Sequence, residues 1–432
     1  IKGKLNGISE EWEIMKKWLK RIVLTGLITM IGLSLTACGQ NSNQKSSKKV
    51  TIEYFNQKKE MSGTLKEIIK DFEKKNPDIH VKEVDVPNAG TVLKTRMLSG
   101  DVPDVINIYP QNIDFQEWAK AGYFEDMTHA PYIKNIKNHY ADSFKINGKI
   151  YNAPLSANVY GFFYNATAFK KLGIKPPKTW GEFEQTVKKI KASGKAPFAI
   201  AGTEPWTLNG YHQLSLATVT GGAKQANKLL RFSAPNSIKV SNPYIQKDFN
   251  RLNLLRENAQ QNWRGASYND AVVSFANGKS LIMPNGSWAL PMINQQKPKF
   301  EVRTFAFPAA KAGHEMTVGS GDLALSISSK SKHKKAAEKF VAYMTTPAAM
   351  QKYYNVDGSP VAVKGVKQKG IDSQLGGLST LAFTKHDMVW LAQDWTSEND
   401  FFNLTASYLM TGNKQQMVND MNTFFNPMKA SN

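Results

Sequence analysis

The chain has 432 residues, 41% hydrophobic, 11% aromatic and 21% charged. That length suggests two or three domains with sizeable cores, and a mean hydropathy of -0.41 excludes a polytopic membrane protein. The net charge is +21 and there is one cysteine, which excludes a disulfide scaffold and a multi-cysteine zinc site.

Residues 1–14 place Glu10, Glu11 and Glu13 ahead of a basic stretch, an order that fits no signal peptide. We read them as an untranslated leader, with translation starting at Met15 and Ser9-Glu10-Glu11-Trp12 a ribosome-binding site read in frame. From Met15, the basic residues Lys16, Lys17, Lys20 and Arg21 precede an apolar run from Ile22 to Leu35, followed by Thr36-Ala37-Cys38. A basic n-region, an apolar run shorter than the ~20 residues that span a bilayer, and small residues at the cut describe a secretory signal. Small residues running into a cysteine resemble a bacterial lipoprotein signal. That resemblance implies removal of residues 15–37, a lipid on Cys38 as the mature N-terminus, and a location on the extracellular face of the cell membrane. Cutting before Cys38 removes six basic and three acidic residues, so the mature chain keeps a charge of +18. Its lysines are spread along the chain without a helix-turn-helix, finger or aromatic–basic strand motif, so nucleic acid is not an expected partner.

Residues 38–49 form a lipidated polar tether, since Gln40 to Lys49 has no apolar residue. An alternating pattern follows. Val50 to Phe55 reads as a strand. Thr64 and Glu67 have capping-box spacing before a helix whose Leu65, Ile68, Ile69 and Phe72 fall on one face, stopped at Asn76-Pro77. Ile79 to Val84 is a second strand, Thr91 to Leu98 a short helix and Asp104 to Ile108 a buried strand. Strands alternating with helices point to an α/β fold with parallel sheets. Ligands of such sheets bind beyond the carboxyl ends of the strands. That rule points to Asn56 through Lys59 after the first strand, and to Tyr109-Pro110-Gln111 after the third.

Eight segments in order carry a wider resemblance. They are Leu35–Cys38, Ile68–Pro77, Leu98–Val105, Asn147–Pro154, Phe163–Asn165, Pro177–Phe183, Phe275–Ser280 and Met283–Trp288. Together they resemble the maltose-binding-like solute-binding proteins of sugar ABC importers, closest to raffinose-type and multiple-sugar binders of Gram-positive bacteria. The resemblance implies a two-lobed fold, each lobe a mainly parallel sheet flanked by helices, with the ligand cleft between the lobes. Residues 50–157 and 321–358 would form the N-terminal lobe, and 158–320 with 359–432 the C-terminal lobe. The chain would cross near Ser156–Asn158, Val318–Leu323 and Gly358–Val361. An oligosaccharide, permease subunits and the membrane lipid are the implied partners of a monomeric receptor that closes on its ligand.

A sugar site needs flat aromatic faces and side chains that bond pairs of hydroxyls. Trp206 in a turn-rich stretch, Trp288 at a strand end and Trp395 in Gln393-Asp394-Trp395-Thr396 are the stacking candidates, whereas Trp118, Trp180 and Trp390 read as structural. Family position adds Lys58, Asn107, Asp322, His386, Asp387 and Asp394; Tyr109 follows from the strand-end rule, Tyr160 would close the site just after the first crossing, and Gly286 belongs to the Met283–Trp288 segment. No cofactor or metal is expected, because the seven histidines are scattered without a His-x-x-x-His spacing. There is also no Gly-x-Ser-x-Gly elbow. The competing readings are a secreted glycoside hydrolase, which needs two carboxylates flanking the bond it cleaves, and a receptor for a non-sugar solute.

Overall fold

The computed structural model describes residues 49–384 and 388–429. Cys38, His386 and Asp387 lie outside them. Four strands come first: β1 (Val50–Asn56), β2 (Ile79–Asp85), β3 (Val105–Asn107) and β4 (Ala153–Pro154). Then come β5 (Tyr160–Asn165), β6 (Ala196–Phe198), β7 (Ser280–Gly286), β8 (Val302–Phe305) and β9 (Thr317–Val318). The last two are β10 (Ala324–Ile327) and β11 (Met388–Val389). They make two sheets, ordered β2-β1-β3-β10-β4 and β11-β9-β5-β7-β6, with β8 also paired to β5.

In the first sheet β1 runs parallel to β2 and β3, as its strand–helix–strand sequence leads one to expect. β10 and β4 run antiparallel to their neighbours, and the second sheet likewise mixes both senses. The sheets are therefore mixed rather than mainly parallel, because strands that return from a crossing segment run the other way. β1 is buried on both faces: Ile52 and Tyr54 pack with one core cluster, Phe55 with another. The helix Ser62–Lys75 buries Leu65, Ile68, Ile69 and Phe72 beside Ile52 and Tyr54, the face its sequence period marks. Thr64 does not cap it. A 3₁₀ turn at Lys59–Met61 already winds the chain, so the helix begins at Ser62 with Met61 as its buried cap residue. At Thr179 the capping box does form, with Thr179 Oγ1 accepting from the Glu182 amide and Glu182 Oε2 from the Thr179 amide. Trp180 then packs against Phe183 and Phe307, and the Arg251 guanidinium lies 4.3 Å over its ring.

The chain crosses from β4 to β5 through residues 155–159 and back from β9 to β10 through 319–323. These passages run side by side: Ala157 bridges Gly321, and the Asn158 amide donates to Ser320 O at 3.0 Å. The Ala157 amide also donates to Pro360 O at 2.8 Å, which joins a third segment to the pair. Val361, Ala362 and Val363 are buried in the first-sheet core, with Val363 bridging Ile136. This stretch therefore lies with the first sheet, not with the C-terminal lobe to which the sequence assigns residues from 359. Leu375 is the first later residue to pack in a second-sheet core.

Candidate ligand-binding site

A cavity of about 880 Å³ lies between the two sheets, lined from both sides and by the crossing segments. β1 and β3 end at it, so the loops after them supply Gln57, Lys58 and Tyr109 from the first lobe. Asn158 and Asp322 come from the passages, and Tyr160, Trp206 and Trp288 from the second lobe.

Lys58 is buried, yet its Nζ reaches Asp322 Oδ2 at 2.9 Å and Glu60 Oε1 at 2.5 Å. Burial by itself would lower its pKa, but the Asp322 and Glu60 carboxylates hold it well above the ordinary lysine range. The ammonium therefore stays charged in a fixed position. Burial pushes the Tyr109 phenol up from its ordinary value, so it stands at the cavity as a neutral hydroxyl.

The opposite wall is aromatic. Trp288 lies 6.1 Å from the Tyr160 ring and 6.3 Å from Trp206, and Trp206 meets Tyr268 edge to face at 5.2 Å. Glu204 orients two of these groups, accepting from Trp206 Nε1 at 3.2 Å and the Tyr268 amide at 2.6 Å. Tyr160 donates its hydroxyl to Thr207 O at 2.8 Å, so its ring rather than its oxygen serves the cavity. That ring sits against Gly210, where an added Cβ would come within 2.4 Å of it. Gly286 works similarly. It does not line the cavity, but a Cβ there would lie 2.0 Å from the Trp288 ring, so only glycine lets the indole take its place.

Three candidates fall elsewhere. Asn107 is fully buried in β3 and donates to Asp322 O and Ala324 O, stitching β3 to the start of β10. Asp394 accepts from Asn227 Nδ2 at 2.8 Å. Trp395 is 3% exposed, donates to Asn227 Oδ1 at 2.9 Å and packs 4.4 Å from Phe401. Asn227 thus clamps both residues away from the cavity, and the C-terminal helices Glu398–Thr411 and Lys414–Lys429 cover the indole. Trp390, read from the sequence as structural, lines the cavity instead. Sequence reasoning also passed over Glu60, Glu204, Asn209, Tyr268 and Glu398. Nearness to Trp206 was the available signal for Glu204 and Asn209, and nearness to Lys58 for Glu60; Tyr268 and Glu398 arrive from distant segments.

Four buried polar atoms of lining residues have no protein partner: Gln111 Oε1, Asn209 Oδ1, Tyr268 OH and Trp288 Nε1. Each such group costs about 1–3 kcal/mol when left unbonded, so the wall favours a ligand rich in hydroxyls. Among the described residues no group of three or more His, Cys, Asp or Glu side chains could hold a metal ion. A Thr405–His212–Asp248 relay with contacts of 2.7 and 3.0 Å does occur, but His212 is fully buried and does not line the cavity, so we read it as structural.

Two α/β lobes around an aromatic, hydroxyl-seeking cavity define a solute receptor. The chain belongs to the bacterial extracellular solute-binding protein family, whose profile matches residues 57–351. It is 62% identical over 417 residues to the multiple sugar-binding protein of Streptococcus mutans serotype c, covering 96% of this chain and 99% of that protein. The solved structure of the solute-binding protein RafE in complex with raffinose is 59% identical, with a TM-score of 0.86 over 88% of this chain and 100% of that one. The apo form of RafE from Streptococcus pneumoniae is 58% identical, with a TM-score of 0.79 over 89% and 100%. These relatives are binding receptors, not enzymes.

Proposed function

We propose that this chain is a monomeric, lipid-anchored extracellular receptor that captures an oligosaccharide by closing its two lobes and hands it to the permease of an ABC importer. The observation that carries the reading is the cavity wall: aromatic rings, among them Trp206, Tyr268 and Trp288, beside polar atoms that lack protein partners. The rings suit the C–H faces of pyranose units, and the polar atoms suit their hydroxyls. The similarity to proteins described as binding multiple sugars and raffinose supports a sugar ligand. Closure is supported by the greater overlap with the raffinose complex than with the apo form, at nearly equal identity. A ligand shifts that equilibrium only through its better fit to the closed state. The Cys38 signal pattern supports the anchor, and no helix among the described residues is long and apolar enough to cross a membrane.

Tryptophan fluorescence and melting temperature, titrated with raffinose, melibiose, maltotriose, isomaltotriose and fructo-oligosaccharides, test the reading. A saturable change with at least one of them is expected, with the sugar recovered intact. Silence with all five would remove the sugar ligand. Loss of lipid labelling on Cys38→Ala tests the anchor.

A further inference from the structure

Glu398, the first residue of the helix Glu398–Thr411, lines the cavity without an ion-pair partner among the described residues. Its Oε1 accepts from Asn209 Nδ2 at 2.6 Å and Gln213 Nε2 at 3.3 Å. The Gln213 amide cannot turn round, because its own oxygen accepts from the Leu391 and Ala392 amides at 2.9 and 3.4 Å. Glu398 Oε1 is therefore committed as an acceptor. A proton on this carboxyl can reside only on Oε2, which makes no bond to the protein. We propose that Glu398 is a specificity-determining residue that donates a hydrogen bond from protonated Oε2 to an acceptor oxygen of the bound sugar. The assignment rests on the receptor reading above.

Two influences compete over that proton. The open N–H groups of the helix N-terminus favour the anion. Burial opposes it and, outweighing the Asn209 and Gln213 bonds, pushes the carboxyl up to about 8. The elements packed around this helix bring few charges to bear. The turn before Asn209 carries Glu204, which is occupied by Trp206 and Tyr268. The helix Asn209–Thr220 carries His212, paired with Asp248 of the helix Pro243–Glu257. From that same helix Arg251 lies over Trp180, and Arg256 donates to Leu409 O at the far end of the Glu398 helix. Asp400 shares the helix of Glu398, Lys414 and Asp420 stand on the one that follows it, and Asp394 is held by Asn227. A neutral acid here donates without a charge in the cleft. A site that reads a ligand oxygen in this way discriminates sharply against analogues lacking it.

Calorimetric titration with raffinose between pH 6 and 9.5 tests the assignment on the wild-type chain, Glu398→Gln and Glu398→Ala. Wild-type affinity is expected to hold up to about pH 7 and then to fall, approaching tenfold per pH unit above 8. Glu398→Gln, whose amide donates at every pH, should bind two- to fivefold more weakly at pH 7 and lose the alkaline fall. Glu398→Ala should lose at least tenfold at pH 7, with its melting temperature showing that it folds. Wild-type binding that is flat or rises above pH 8, or a Gln variant at least tenfold weaker at pH 7, overturns the assignment alone. No raffinose binding by the wild type at any pH overturns the assignment; the sugar reading falls only if the other four sugars are silent as well.

Discussion

Lys58, two residues past β1, and Asp322, in the passage from β9 to β10, meet at 2.9 Å although 264 positions separate them. Both line the cavity and both are almost fully buried. The pair ties a first-lobe loop to a crossing segment at the wall of the cavity. Two carboxylates on one ammonium leave this cluster charged in a poor dielectric, an arrangement that holds only while every partner is present.

Removing one partner should therefore be worse than removing both. Lys58→Met is expected to lower stability by about 3–5 kcal/mol by leaving Asp322 buried and uncompensated. The double variant Lys58→Met, Asp322→Leu should recover part of that loss. Urea unfolding of the wild type and the two variants measures it; a double variant less stable than Lys58→Met would contradict the account.

The tryptophans should separate by role. Trp206→Ala and Trp288→Ala are expected to weaken sugar binding at least tenfold. Trp395→Ala should instead lower stability by about 3–5 kcal/mol, because it empties a core site beside Phe401. Its folded fraction should bind normally. Paired titration and denaturation curves check both halves.

Gly286→Ala places a methyl group where the Trp288 ring now lies, and Gly210→Ala does the same to Tyr160. Both rings must move, so each variant should lose affinity although neither glycine offers a side chain to the ligand. Retained affinity in Gly286→Ala would mean that the indole position is unimportant for binding.

Asp357 predicts a pH dependence of stability. It ends the helix Pro347–Asp357 next to the crossing segments, fully buried, with Oδ2 accepting from the Ser359 amide and Oδ1 unbonded. Burial raises its pKa to about 7, with Lys58 pulling it down and Asp322 adding to the rise. The folded state thus binds a proton that the unfolded chain, at an ordinary carboxylate pKa, has released. Its contribution is full below about pH 4 and is lost as pH rises through about 7. Asp357→Asn should flatten that part of the melting profile and raise the melting temperature at pH 8. An unchanged slope between pH 4 and 7 would exclude Asp357 as its source.

Local rules carried most of the first lobe. The period of Leu65, Ile68, Ile69 and Phe72 marked a buried helix face, and strands ending in polar loops brought Lys58 and Tyr109 to the cavity. These features need only neighbours a few residues away. The capping box shows the limit of such reasoning: the motif at Thr179 forms, whereas the same spacing at Thr64 is overridden by a turn that starts the helix earlier.

The later tryptophans were not legible. Trp390 and Trp395 flank one short turn, and nothing in their local sequence separates them. Asn227, 168 positions from Trp395, draws that indole into the core and leaves Trp390 at the cavity. Glu398 is a similar case, since its chemistry depends on Asn209 and Gln213, nearly 190 residues away. By itself, the sequence determined the kind of fold, the family and the two loops that reach the cavity from the first lobe. Tertiary structure alone decided that Trp390 rather than Trp395 lines the cavity, and that Tyr268 and Glu398 join it. Burial and hydrogen-bond pairing depend on segments that come together only when the chain is packed.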